Sequence, residues 1–505
     1  MRIRYILSGS LLGCAALMLV RRAGAGVTST TTVPNSSSYA AIDAFIEAEM
    51  QRLKIPGISL AVVADQQVAH LRGFGEARPG GETPTPQMPF FIGSVTKSFT
   101  ALAVMQLVEA GKAELDAPVQ HYLPWFRVAD PEASAQMTVR HLLNQTSGIP
   151  VLPGELALGD IDNRPGAAER QARALSKLVL PRPVGAAYEY SNANYILLGL
   201  IIEATSGESY QDYIQNHIFT PLEMKHSYTS QAAAQQDGPA VGHQYWFTLP
   251  VAAPDMPIPL GAMAGGMLIS CAEDMAHYMI ALLNEGRYGD ARIISSASIA
   301  ELHHGVAEVS TAGMSMGHYG MGWFIDTLGQ TKVAWHSGTL PHFGAHIALL
   351  PEQKKGVILL FNACHHWMNP VLAQLGDGVT ARLAGEQPTP VPIASIILLM
   401  LRGQLLIPAL QIVGVIATLR RLRRWHATSE QRPGDGRAWG QHILLPLIFN
   451  LLLARTLIKP VRGERRGYLK YYMPDFSWLA TVCGSFALAW SALRTVLVAR
   501  ALRKS

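Results

Sequence analysis

The spacing of apolar residues changes character several times along the chain. Residues 39–53 carry apolar positions at helical spacing and read as an amphipathic helix. Residues 58–64 and 67–74 are apolar runs around a polar turn, the pattern of a strand hairpin. After a Pro/Gly-rich loop at 79–89, the stretch from Ser94 is apolar on nearly every side until Gly111. A helix without a polar face belongs at the centre of a domain. From residue 115 to about 229, helical patterns broken by Pro and Gly dominate, including an apolar helix at 194–205 ended by Gly207. A further helix is predicted at 272–284, and strand-like runs follow at 332–335, 345–350 and 356–361. Two strands at one end and three at the other, separated by helices, predict one sheet closed by both ends of a body.

Past Pro390 the pattern changes again. Residues 392–419, 443–457 and 476–498 are apolar segments, the second short for a span, and they predict three membrane helices. Composition agrees: 49% of residues are hydrophobic and only 15% charged. The net charge of +5 hides a division, because residues 386–505 hold 17 Lys+Arg against 5 Asp+Glu while the remainder is acidic. A basic excess interleaved with apolar runs indicates membrane topology, not nucleic-acid binding. Arg420-Arg421-Leu422-Arg423-Arg424 follows the first segment, and Arg500, Arg503 and Lys504 close the chain. With the body exported, three spans place both clusters in the cytoplasm. Arg402 within the first segment, and the outward loop with Lys459, Arg462, Arg465, Arg466 and Lys470, run against that tendency.

At the other end, Arg2 and Arg4 precede an apolar run at 6–20 and the small residues Ala23-Gly24-Ala25, as in an export signal. Leu11-Leu12-Gly13-Cys14 also resembles a lipoprotein signal, although cleavage there would leave 15–20 as exposed apolar chain. The expected organisation is a signal at 1–25, a Ser/Thr-rich linker at 26–38, a catalytic body at 39–385 and a membrane domain at 386–505. Only Cys271 and Cys364 belong to the exported body; the sequence allows a disulfide between them but favours two free buried thiols at least as much.

A few polar groups stand where they are costly. The first turn of the buried helix carries a hydroxyl at Ser94 and an amine at Lys97, an i,i+3 pair on one face. A buried ammonium either finds partners or loses its proton, and a lysine that loses its proton can take one from serine. The alternative is a serine cap with a surface lysine. At a helix start, backbone N–H groups and the dipole can also stabilise an oxyanion. Tyr190-Ser191-Asn192 precedes the apolar helix at 194–205. A phenol beside a lysine can relay a proton, and an amide can orient a substrate carbonyl or share the lysine proton. His336-Ser337-Gly338-Thr339 directly follows the strand at 332–335. His-x-Gly also begins at His303, His318 and His342, so position rather than pattern selects His336. Its small strand edge suits pairing with a substrate backbone, and the Thr339 N–H would complete an oxyanion hole with the Ser94 N–H. The pairs His303-His304 and His365-His366 do not have metal-ligand spacing, so no metal or cofactor is expected.

In this order the three groups resemble those of the serine penicillin-recognising enzymes, and within them the class C β-lactamase and D-alanyl-D-alanine carboxypeptidase family. The resemblance spans about residues 40–385 and includes the flanking text Phe91-Ile92-Gly93, Arg140-His141-Leu142-Leu143 with Thr146-Ser147-Gly148, Tyr188-Glu189, and Ala264-Gly265-Gly266-Met267. It implies an α+β fold: an antiparallel sheet flanked by helices plus an all-helical subdomain, followed here by the transmembrane helices. It implies Ser94 as acylated nucleophile, Lys97 as general base, Tyr190 as proton carrier and Asn192 as holder of the substrate amide. His336, Ser337, Gly338 and Thr339 would form the substrate edge and oxyanion site.

Two departures stand out. Many members have Lys-Thr-Gly at the third motif, where the lysine attracts a substrate carboxylate, and His336 stands in that place here. His342 stands where relatives commonly have a small residue after proline. Strong penicillin hydrolysis is therefore not expected, which leaves peptides, amides and esters. The layout is also similar to the membrane-anchored peptidases that mature nonribosomal peptide prodrugs by removing an acylated D-amino-acid cap. The expectation is a hydrolase held in the bacterial inner membrane with its body facing the periplasm. A cell-wall D-peptidase, an esterase or a weak β-lactamase is the alternative, and a sensor that is acylated without turning over is an alternative of another class.

Overall fold

The computed structural model describes residues 36–253, 255–311, 314–387, 393–427 and 439–503. The signal at 1–25 with Cys14, the linker through residue 35 and Lys504 lie outside them. Residues 36–38, read as linker, instead open the first helix, α1 (Ser36–Leu53). The chain divides into two compact units, one through Ile397 and one from Leu398.

The first unit is built on an antiparallel sheet of β1 (Gly57–Ala64), β2 (Gln67–Gly75), β3 (Ala307–Thr311), β4 (Met314–Tyr319), β5 (Phe324–Leu328), β6 (Thr331–Thr339), β7 (Gly344–Leu350) and β8 (Lys355–Phe361). Their order is β2-β1-β8-β7-β6-β5-β4-β3. Both ends of the body meet inside it, with Leu60 of β1 opposite Leu359 of β8. β1, β7 and β8 are buried along almost their whole length, which is why they read as unbroken apolar runs. The sequence pattern missed β3, β4 and β5. These are short, rich in Gly, Ser and Thr, and shifted in register between Ser315 and His318, so no clean alternation marks them.

Helices cover both faces. α2 (Thr96–Glu109), α3 (Val151–Gly159), α4 (Asn192–Ser206), α5 (Ala272–Leu283) and α6 (Asn369–Ala384) are the ones that matter for the site and sheet. A side chain at Gly356 would strike Met279 of α5, and one at Gly376 of α6 would strike His346 of β7. Gly356 lies opposite Leu349, three residues from His346, so α5 and α6 sit on opposite faces of the sheet. Between residues 119 and 237 the described chain is helical throughout its regular elements, which forms the helical subdomain. Cys271 and Cys364 are buried free thiols and do not pair.

The second unit contains α7 (Leu406–Ala427), α8 (Leu445–Arg462) and α9 (Pro474–Arg503). Among the described residues three stretches are long and apolar enough to cross a membrane: Ile397–Ala427, Gly440–Arg462 and Pro474–Leu502. The second was expected to be short, but a π-helical turn at Gly440–Leu444 and continuation to Arg462 bring it to 23 residues. At 1.5 Å per residue that is about 34 Å, enough for a hydrocarbon core of about 30 Å. Large apolar side chains such as Leu410, Leu445 and Phe449 are exposed on these helices.

Candidate active site

The site begins where two stretches of backbone come too close for side chains. Gly93 has φ +54°, and a Cβ there would lie 2.6 Å from the Thr339 nitrogen. A Cβ on Gly338 would lie 2.0 Å from the Ile92 carbonyl oxygen. Two glycines thus let the end of β6 lie flush against the turn that presents Ser94. That turn is a 3₁₀ helix, Gly93–Val95, which passes into α2 at Thr96. Ser94 is half-exposed on the turn, and Lys97 is fully buried in the first turn of α2.

Lys97 Nζ lies 3.0 Å from Ser94 Oγ, 2.7 Å from Asn192 Oδ1 and 2.6 Å from the Gly265 carbonyl oxygen. The last two can only accept hydrogen bonds. Burial drives the amine's pKa well below that of an ordinary lysine. A neutral amine has two N–H groups and one lone pair. The two N–H groups fit Asn192 and Gly265, which leaves the lone pair for the Ser94 hydroxyl.

Asn192 opens α4, and Tyr190 lies two residues before it. Both are half-exposed. The Tyr190 phenol faces Ser94, and its ring centroid is 5.0 Å from Lys97 Nζ. Burial raises the phenol's pKa, so it stays protonated at neutral pH. Behind them stands a buried support. Gln145, at φ +58°, accepts from Ser191 N at 2.9 Å and from Asn194 Nδ2 at 2.5 Å. Ser147 Oγ donates to Asn194 Oδ1 at 2.6 Å, and Ser191 Oγ donates to the Pro150 carbonyl at 2.8 Å. The 143–150 loop thus holds the stretch carrying Tyr190 and Asn192.

β5 pairs with β6 only as far as Phe324 opposite Trp335. Residues 336–339 therefore run on beyond the end of β5, paired on the other side with Ile347, His346, Ala345 and Gly344 of β7. Ser337 and Thr339 are half-exposed, and His336 and Gly338 are buried. His336 Nδ1 lies 2.7 Å from the Ser337 carbonyl, which only accepts, so Nδ1 carries the proton. Nε2 then accepts from the Tyr319 hydroxyl at 3.3 Å. Burial first, and the nearby Lys97 second, lower the imidazole's pKa to about 3. Tyr190, Tyr319 and Phe324 lie against it, with Tyr188 packed behind on Tyr319 and Phe324, so the strand-side wall is aromatic.

Ser94, Lys97, Tyr190, Asn192 and the 336–339 edge thus come together at one place. Sequence reasoning missed the Gly265 carbonyl, Gln145, Asn194 and Tyr319. His342 is buried, with a pKa lowered by burial to about 4. A separate surface cleft of about 510 Å³ lies at the far end of α2, lined by Gln106, Glu109, Lys112 and Arg292, and holds none of the motif residues. Among the described residues no group of three His, Cys, Asp or Glu side chains could hold a metal ion.

The arrangement can activate a hydroxyl, supply a proton from a phenol and present two backbone strips to a carbonyl. That is the equipment of acyl transfer through a serine. Comparison with known proteins agrees. The model of the family described as Beta-lactamase matches residues 42–375. Protein flp of Staphylococcus aureus strain MW2 is 30% identical over 348 residues, covering 68% of this chain and 67% of that protein. The octameric penicillin-binding protein homologue from Pyrococcus abyssi has a TM-score of 0.61 at 32% identity, covering 69% of this chain and 78% of that one. The D-amino acid amidase from Ochrobactrum anthropi shares the fold, with a TM-score of 0.59 at 24% identity over 69% of this chain and 99% of its own. On this site, fold and likeness, the chain belongs to the beta-lactamase family of serine hydrolases.

Proposed function

We propose that this protein is a membrane-anchored serine hydrolase that cleaves amide bonds of D-amino-acid derivatives through an acyl-enzyme on Ser94. Lys97 takes the Ser94 proton as Oγ attacks the substrate carbonyl, and the backbone N–H groups of Ser94 and Thr339 stabilise the oxyanion. Tyr190 passes a proton to the leaving nitrogen and takes back the one Lys97 received from Ser94, and Asn192 holds the substrate amide. Water then releases the acyl group by the reverse proton path. The observation that carries this reading is the Lys97 amine, buried and left with only its lone pair for the Ser94 hydroxyl. The amidase with this fold takes, by its name, D-amino acid amides, so such amides are the first substrates to try. A neutral His336 edge favours leaving groups without a carboxylate.

The three apolar helices would hold the chain in the bacterial inner membrane with the body in the periplasm, because Arg420 to Arg424 and Arg500 then face the cytoplasm. The test is hydrolysis of D- and L-phenylalanine amide by the full chain, with intact-mass detection of the acyl-enzyme. Wild type should prefer the D-amide, and Ser94→Ala should form no adduct and lose turnover by at least about 10³-fold. Turnover untouched in Ser94→Ala would overturn the reading. Hydrolysis of esters with no amide turnover would favour the esterase alternative. One equivalent of product followed by arrest would favour an acylated sensor.

A further inference from the structure

At one end of the second unit the ends of three helices meet around a buried cation. Arg494 of α9 is only 7% exposed. Its Nε donates to Thr418 Oγ1 of α7 at 3.2 Å, and its Nη1 donates to the His442 carbonyl at 2.6 Å. Both acceptors are neutral, and a guanidinium stays charged at any ordinary pH. On the exposed side, Arg421 Nη1 donates to His442 Nδ1 at 3.0 Å, so the proton of that imidazole sits on Nε2, a further donor. Two guanidinium groups thus meet at one residue, His442. Trp425 packs edge-on to the His442 ring at 5.2 Å.

No described carboxylate reaches this end. In the described part of the unit the acids are Glu464 and Asp475. Both belong to the other end, where α8 gives way to α9. Asp475 stands 19 residues before Arg494 on the same helix, about 28 Å away at 1.5 Å per residue. The 428–438 connection carries Glu430 and Asp435 against Arg432 and Arg437, so it adds no net charge. A buried guanidinium with only neutral partners in apolar surroundings calls for an anion.

We propose that this end binds the headgroup phosphate of an anionic phospholipid between Arg421, Arg494 and His442. The phosphate oxygens accept from the guanidinium N–H groups not already used, in the bidentate manner that suits arginine. The acyl chains lie along the apolar outer faces of the helices, where Leu410 and Leu419 are exposed. The lipid thereby ties α7, α8 and α9 together where Leu422, Ile443 and Val498 pack.

The test uses the full chain, stripped of lipid in detergent and placed in nanodiscs of phosphatidylcholine and phosphatidylglycerol, with retained lipid counted by native mass spectrometry. Wild type should retain phosphatidylglycerol at least about fivefold over phosphatidylcholine. Arg421→Gln and Arg494→Gln should each lower that preference about fivefold, the factor that roughly 1 kcal/mol per basic residue gives. Turnover of a soluble ester should be unchanged in Arg421→Gln. Arg421 is exposed, so its variant remains informative if Arg494→Gln does not fold. Equal retention of the two lipids, or a preference untouched by Arg421→Gln, would overturn the proposal. Full thermal stabilisation by inorganic phosphate alone would make the ligand a free anion and overturn the lipid assignment. A melt that falls in Glu430→Gln/Asp435→Asn, and not on exchange of phosphatidylglycerol for phosphatidylcholine, would put protein carboxylates on these arginines and overturn it as well. The proposal rests on the helices crossing a membrane, and failure of that premise shows separately as release of the chain by alkaline wash.

Discussion

The two walls of the cleft each bury a nitrogen base, and they use it in opposite ways. On the helix side, Lys97 is stripped of water and surrounded by two obligate acceptors and one hydroxyl. On the strand side, His336 is equally buried, but its proton points at a backbone carbonyl and its lone pair is capped by Tyr319. Burial lowers the pKa of both, that of His336 to about 3 and that of Lys97 well below the ordinary lysine value. Only one has its lone pair on a group that can react. Basicity in a buried site is thus a matter of what the lone pair faces, as much as of how far the pKa has moved. A second consequence concerns recognition. The strand wall presents no cation at pH 7, so it lacks a charge that would draw a carboxylate to that edge.

The sharpest way to break the contrast is to make the helix-side base unable to discharge. Lys97→Arg keeps a long donor-bearing side chain but fixes the charge. Turnover of a D-amino acid amide should fall by about 10³- to 10⁴-fold, the upper range of a general base's contribution. His336→Ala, measured on the same neutral substrate, should fall by less than about tenfold. A comparable loss in both variants, seen in single-turnover acylation rates, would mean that the two walls are not functionally distinct.

A smaller effect comes from restoring charge on the strand side. His336→Lys places an amine on the strand edge. Its kcat/KM for an anionic substrate, relative to the neutral amide, should rise about tenfold, the lower bound for a hydrogen bond to a charged group. The ratio is taken within one preparation, so partial unfolding of the variant cancels. An unchanged ratio would show that the 336 position does not face the leaving group.

How much of this was legible in the sequence depended on whether a role leaves a side-chain signature. Ser94, Lys97, Tyr190 and Asn192 were legible because reactive polar groups beside apolar helices need a reason. The Gly265 carbonyl was not, because a backbone oxygen looks the same at every residue, although the Ala264-Gly265-Gly266 text marked the place. Gln145 gave no signal either. Its value lies in a left-handed backbone and two hydrogen bonds to groups 46 and 49 residues away. β1, β7 and β8 were plain because both faces are buried, and β3 to β5 were hidden by their polar, bulged pattern. Tyr319 sits on one of those hidden strands, so the cap on His336 was hidden with it. The sequence could therefore name the histidine and not its protonation state.

The smallest effect separates the two bases by pH. Both have folded-state pKa values below their unfolded ones, so in each case the unfolded chain binds the extra proton. Stability then rises with pH between the folded and unfolded values, by at most about 1.4 kcal/mol per pH unit for each group. For His336 that window runs from about 3 up to the ordinary imidazole value of 6.5. For Lys97 it ends at the ordinary lysine value of 10.5 and begins well below it. The two walls thus act on different limbs of one stability curve. Urea unfolding of the wild-type chain at pH 4 to 6 and again at pH 8 to 10 should show a positive slope on both limbs. His336→Asn should flatten the acid limb alone, and Lys97→Met the alkaline limb alone, each read as a difference from wild type so that other titrating groups drop out. Loss of slope on the same limb in both variants would mean that the two groups titrate as a coupled pair, and the division of the cleft into a reactive wall and an inert one would fail.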